Sequence, residues 1–177
     1  QKQITLAKNQ NPDLICVSMH WGTEYRTTAN DEQKQLADFL FQNGVDIILG
    51  SHPHVLQPME KKTITLDDGS TKDCFVIYSL GNFMSGQTKT NTRNSVILNL
   101  NFTKSGETGK TTIESASYVP IYTYKAPSGT QRYRVLDIEK TIQNYDSGNK
   151  TVNQSTYSIL KNELSYVKNI MGENIEF

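Results

Sequence analysis

Long apolar runs are missing from this chain, and so is any excess of charge. Lysine plus arginine equals aspartate plus glutamate at 18 each, which leaves no basic surplus to draw nucleic acid or an anionic membrane surface. An anionic ligand must then be held by a local site. No stretch approaches the roughly 20 apolar residues of a membrane span, and no signal peptide opens the sequence. Cysteine is scarce. Cys16 and Cys74 each sit in an apolar, strand-like run, where a small buried thiol is expected. Two such residues make neither a disulfide framework nor a metal motif, and they leave the redox compartment open. There is no internal repeat, low-complexity tract or clear linker. The chain opens on Gln1 without an initiator methionine, so it is expected to be a trimmed or processed piece of something longer.

Histidine is scarce as well, with three in 177 residues, and all three come directly after strand-like runs. Asp13 to Met19 is nearly continuous in apolar residues, as expected of a central parallel strand buried on both faces, and His20 is next. Val45 to Leu49 is a second such run, ended by Gly50 and Ser51, and His52-Pro53-His54 comes next. Between the runs, Asn30 or Asp31 caps a helix through about Asn43 that carries Leu36, Ala37, Leu40 and Phe41 on one face. Gly44 closes that helix. Strand, helix and strand in this order form a right-handed βαβ unit with parallel strands. It delivers His20 and the histidine pair to the same sheet edge, where ligands of open α/β sheets bind. In an extended backbone His52 and His54 point to one side, stiffened by Pro53. Imidazole suits zinc, iron, manganese and nickel alike, so the pair names no metal.

After Pro58 the pattern changes from long crossovers to hairpins. Thr63 to Leu66 and Cys74 to Ser79 flank an Asp67-Asp-Gly-Ser70 turn. The polar segment from Met84 to Arg93 is expected to be mobile. Val96, Leu98, Leu100 and Phe102 alternate along a half-buried strand, succeeded by a turn at Ser105 to Gly109 and a strand from Lys110 to Val119. Tyr133 to Ile138 adds a strand. Ser155 to Met171 is an amphipathic helix, preceded far upstream by a weakly helical Gln1 to Gln10. Residues 1–177 thus read as one α/β domain of mixed sheets, with 13–103 carrying the chemistry and 104–177 adding C-terminal strands and a helix.

The segments SMHWGTEY (18–25), GSHPHVLQPME (50–60) and YSLGNF (78–83), in this order and with a helix between the first two, resemble the bacterial capsule-synthesis CapA family, also called the poly-γ-glutamate synthesis accessory family. That family is similar in fold to calcineurin-like metallophosphoesterases, mixed sheets flanked by helices in a two-sheet αββα sandwich. The resemblance implies that His52 and His54 correspond to a Gly-His-x-His motif of metal or substrate ligands and that His20 is the isolated histidine before it, which makes His20, His52 and His54 the candidate metal ligands. It makes His20 and Glu24 candidates for proton transfer, and Ser51 and Asn82 candidates for substrate binding. Glu24 could also ligate metal or pair with a surface cation, and Asn82 could ligate metal or support a tight turn. The cofactor implied is a divalent ion, Mn, Fe or Zn.

The departure from the pattern carries weight. The Asp-x-His, Gly-Asp-x-x-Asp and Gly-Asn-His segments that supply acidic ligands in the phosphoesterases are not in this chain, and Asp13 lies at the wrong end of its strand. The chain therefore looks like the C-terminal half of a family member, with the other half or a partner chain covering one sheet face. The function implied is capsule or poly-γ-glutamate biosynthesis. Its form is either a metallophosphoesterase-like hydrolase or a non-catalytic accessory protein that binds an anionic polymer or partner subunits. The partners expected are an anionic polymer or a phosphorylated small substrate, with no nucleic acid and no membrane contact except through an anchor outside this sequence. The location implied is extracytoplasmic, at the cell surface or membrane-anchored.

Overall fold

The computed structural model describes every residue except Gln1, Asp67, Pro127, Thr130 and Gln131. Gln1 of the expected leading helix and Asp67 of the expected hairpin turn therefore lie outside the described residues. The elements run α1 (Lys2–Lys8), β1 (Cys16–His20), α2 (Asp31–Gln42), β2 (Ile47–Ser51), β3 (Leu56–Thr65), β4 (Thr71–Leu80), β5 (Asn94–Lys104), β6 (Thr111–Lys125), β7 (Tyr133–Asp137), α3 (Ile138–Asp146), α4 (Gln154–Met171) and β8 (Ile175–Glu176). The class is mixed α/β, with two four-stranded sheets flanked by helices.

The first sheet has the order β1-β2-β4-β3, with β1, β2 and β4 parallel and β3 antiparallel to β4. Its βαβ unit is set by the ends of α2. Asn30 accepts from the Gln33 backbone while the Gln33 side chain accepts from the Asn30 backbone, a reciprocal cap. At the far end the chain leaves through Gly44 at φ +99°. Between these ends α2 buries Ala37, Leu40 and Phe41 against Ile48, Cys74, Val76 and Tyr78. The intervening strand residues Ile47, Phe75 and Ile77 face the other way, as the two-residue period requires. They join Leu56, Met59, Val96, Ala116, Ile138, Leu160 and Val167 in a second core that ties the first sheet to the second sheet, α3 and α4.

The second sheet is antiparallel, β5-β6-β7 with β8 also on β6. A bridge from Gly81 to Ser95 joins it to the end of β4. Gly81 has φ +70°, and a Cβ there would stand 2.5 Å from the Asn94 carbonyl oxygen, so the joint requires glycine. Helix α3 is absent from the sequence reading. It starts where β7 ends, with the Asp137 side chain accepting from the Lys140 backbone.

Two expectations fail at β1. It is an edge strand among the described residues, paired with β2, and its Cys16, Ser18 and His20 are exposed. Cys16 is therefore not the buried thiol expected, whereas Cys74 on β4 is fully buried. The reason is placement: α4 and the second sheet pack over β3 and β4, and β1 lies beyond that cover.

Candidate functional site

The strands β1 and β2 end level with each other, His20 opposite Ser51. From there the two loops are stitched together. The Trp21 backbone donates to the Ser51 carbonyl at 3.1 Å and the Tyr25 backbone to the Pro53 carbonyl at 2.7 Å. The buried Trp21 indole donates across β2 to the Tyr78 carbonyl at 2.9 Å. Gly50 makes room for that crossing, since a Cβ on it would stand 2.0 Å from the same carbonyl oxygen.

These stitches gather the histidines in a geometry that the sequence does not foretell. His20 and His52 are the closer pair, with ring centroids 4.5 Å apart and planes tilted by 44°. His52 and His54 stand 6.3 Å apart at 51°. The backbone between them is bent, not extended, with φ +99° at His52 and +61° at His54. Tyr25, opposite them, has φ +66°. Left-handed backbone at a non-glycine residue costs about 1–3 kcal/mol and persists where the surroundings over-determine it. Here the buried Pro53 and the Tyr25–Pro53 hydrogen bond supply that constraint.

His54 is oriented by Asn82. The Asn82 Nδ2 donates to the Thr92 carbonyl at 2.9 Å, and its Oδ1 lies 3.0 Å from His54 Nδ1. A carbonyl accepts and never donates, so the amide nitrogen must face Thr92 and the amide oxygen must face the imidazole. His54 therefore carries its proton on Nδ1 when neutral, and Nε2 keeps a free lone pair. That nitrogen looks toward Glu24, whose Oε1 is 3.8 Å away, beyond hydrogen-bond length but close enough for charge attraction if the ring gains a second proton. The Ser51 hydroxyl donates to the Met19 carbonyl at 3.0 Å. Asn82 and Ser51 thus both hold the frame, and His20, His52, His54 and Glu24 present their side chains at the rim.

Whether this set fits a metal ion is a question of donor number. Among the described residues no group of three histidine, cysteine or acidic side chains is arranged to hold one. Three imidazoles alone bridge no pair of cations, and the single carboxylate beside them, Glu24, leaves the set short of the oxygen donors of a two-metal site. The set on its own is not a metal centre. What it presents is a lone-pair nitrogen at His54 with a carboxylate beside it. A polar cavity of about 350 Å³ also opens along Met19, His20, Gly22, Glu32, Gln33 and His52.

Two further arrangements escape the sequence reading. The buried Gln33 and Gln57 form an amide relay: Gln33 Nε2 donates to Gln57 Oε1 at 2.8 Å, and Gln57 Nε2 donates to the carbonyls of Arg26 and Thr28. The relay pins the loop that carries Glu24 and Tyr25. The local signal that could have marked Gln33 is the capping-box spacing from Asn30. The second arrangement joins Tyr25, which stacks on His54 with centroids 6.1 Å apart, to Lys89, whose ammonium lies 3.7 Å from the Tyr25 ring centroid. Lys89 sits in the polar segment expected to be mobile, and no local signal marks it.

A family model described as bacterial capsule synthesis protein PGA_cap matches residues 1–87. Over these residues the chain is similar to that family. The match contains every residue of the histidine edge, while the second sheet begins beyond it. The chain is 41% identical over 97 residues to the PGA biosynthesis protein CapA of Bacillus subtilis (strain 168), an alignment covering 55% of this chain and 23% of that protein. It is 37% identical over 108 residues to the capsule biosynthesis protein CapA of Bacillus anthracis, covering 59% of this chain and 24% of that protein. In these alignments the chain spans about a quarter of the CapA relatives it matches.

Proposed function

We propose that the chain is part of a CapA-type protein of capsule or poly-γ-glutamate biosynthesis. Its histidine edge acts on an anionic group of a cell-surface polymer or a phosphorylated small substrate. The observation that carries this reading is the convergence of His20, His52, His54 and Glu24 on one rim, on loops held in left-handed backbone. Such residues cluster at functional sites, and Tyr25, His52 and His54 lack the short amide side chain that eases the same conformation at Asn11 and Asn91. The relatives' names, which speak of capsule and PGA biosynthesis, support the process. In its hydrolytic form the site is a divalent-ion phosphoesterase, for Mn, Fe or Zn. His20, His52 and His54 then give part of the donor set, and acidic donors come from outside the described residues. Glu24 serves proton transfer, Asn82 orients His54, and Ser51 braces the turn.

The remaining donors and the missing cover have one source in this reading, the rest of the longer protein. An apolar groove of about 590 Å³ runs along Cys16, Leu49, Leu80, Phe83, Ile97 and Phe102, beside the edge strand β1. Patches of this kind mark a packing surface. The relatives are long enough to supply it. The setting is extracytoplasmic, at the cell surface. No helix among the described residues is long and apolar enough to cross a membrane.

The test is metal content by mass spectrometry on the protein at the full length its gene encodes, beside the His52→Ala/His54→Ala variant. Stoichiometric transition metal in the first and its loss in the second is the expected result, with phosphodiesterase activity tracking the metal. Metal retained unchanged by the variant overturns the histidine edge as its seat. Metal absent from both moves the reading to the accessory role, in which the same edge binds an anionic polymer without turning it over.

A further inference from the structure

The segment from Phe83 to Arg93 is strapped across the end of the first sheet and not loose. Thr123 of β6, itself buried, holds both ends: its hydroxyl donates to the Phe83 carbonyl at 3.1 Å and its backbone to the Arg93 carbonyl at 2.8 Å. Inside the strap, Thr92 is fully buried and closes a turn on Lys89, donating to the Lys89 carbonyl from its hydroxyl at 2.7 Å and from its backbone at 3.2 Å. Asn91 turns the chain there at φ +64°. The contacts then form a closed ring: His54 to Asn82, Asn82 to Thr92, Thr92 to Lys89, Lys89 to the Tyr25 face, and Tyr25 stacked back on His54.

From this ring we infer that Lys89 is the fixed cation of the histidine site, the side chain that recognises a ligand's anionic oxygen and so selects carboxylate- or phosphate-bearing substrates. A free surface lysine samples many rotamers, and ordering it for a ligand costs binding energy. Lys89 has much of that order in advance, because its turn is pinned by a buried threonine and its ammonium rests on an aromatic face. It stands one ring away from His54, whose Nε2 lies 3.8 Å from Glu24 Oε1. The opposite charges divide the work: Glu24 faces the nitrogen that exchanges a proton, and Lys89 faces the charge of the ligand. Lys89 lies outside residues 1–87, so the family match does not assign it.

The inference rests on the histidine edge being a ligand site, and the experiment separates the two. Inorganic phosphate and glutarate are titrated separately against the full-length protein, with the histidine ring resonances monitored by NMR. Saturable shifts of the His54 ring are expected with at least one probe. Lys89→Gln is expected to weaken that binding about tenfold, the loss of one charge-assisted contact, while Lys89→Arg keeps most of it. Tyr25→Leu is expected to weaken binding severalfold by releasing the ammonium, and Tyr25→Phe to leave it nearly intact. Response to phosphate alone assigns a phosphoryl ligand, and response to glutarate alone a carboxylate. Binding by Lys89→Gln equal to wild type, with loss in His52→Ala/His54→Ala, overturns the role of Lys89 and leaves the site standing. Binding unchanged in both variants, or no response of the wild type to either anion, overturns both.

Discussion

The two faces of the first sheet are made from the same strands, yet they are finished differently. Toward α2, Ile48, Cys74, Val76 and Tyr78 meet Ala37, Leu40 and Phe41, and all are buried. On the opposite face, Met59, Phe75 and Ile77 of β3 and β4 are buried, and cover fails toward β1, where Cys16 and Ser18 are exposed. Nearby, Ile97 and Phe102 of β5 stay 45% and 46% exposed along the apolar groove, too much for an ordinary strand interior. The closed face explains why this chain folds around a βαβ unit. The open face lies on the side of the sheet where the proposed reading puts the rest of the longer protein, which would cover the groove and stand beside His20.

The largest expected effect tests the closed face. Phe41 is fully buried between α2 and the sheet, so Phe41→Ala removes a ring from a packed core and should cost about 3–5 kcal/mol in urea unfolding. Phe102→Ala removes the same ring from the groove and should cost under about 1 kcal/mol, since much of it never left water. Equal losses would abolish the contrast between the faces. A second, smaller effect concerns how the closed face holds the site loop. Gln57→Leu leaves the Gln33 amide and the Arg26 and Thr28 carbonyls without their partner, a loss of about 1–3 kcal/mol. The His54 ring resonances should shift with it, because the loop carrying Glu24 and Tyr25 is released. A stability loss with unmoved His54 signals would mean that the relay serves the core alone.

The legibility of the sequence divides along the same line. The α2 face was legible because its signals are local: the Asn30 cap, the spacing of Leu36, Ala37, Leu40 and Phe41, and Gly44 at the exit. The meeting of His20 with His52 and His54 was legible because two parallel strands that end together deliver their outgoing loops to one edge. The bend of the histidine pair was not, since it comes from a hydrogen bond between Tyr25 and Pro53, 28 residues apart in sequence. Nor was the exposure of Cys16. An apolar run shows that a strand can be buried, and only the sheet order shows whether anything is there to bury it. Lys89 lay furthest from reach, in a polar segment whose order comes from Thr123 and Asn82, both outside it.

The smallest perturbation is also the sharpest probe of the open face, because it changes no core residue. Cys74 is buried with its thiol against the Val45 carbonyl at 3.7 Å, and burial pushes its pKa up from 9.0 to about 11. At pH 8 almost none of it is thiolate, and it is screened from reagent besides. Cys16 is also raised by partial burial, yet it is exposed on the edge strand. A thiol reagent at pH 8 should therefore modify one cysteine of this folded chain, Cys16, with Cys74 reacting only after denaturation. Raising the pH should accelerate Cys16 labelling while stability falls by roughly 2 kcal/mol between about pH 9 and 11, since the unfolded chain releases the Cys74 proton before the folded one does. With the groove covered by the rest of the full-length protein, Cys16 should be protected there as Cys74 is. Cys16 labelled at the same rate in the full-length protein would mean that the face stays open, and the cover and the missing donors would have to come from a separate partner.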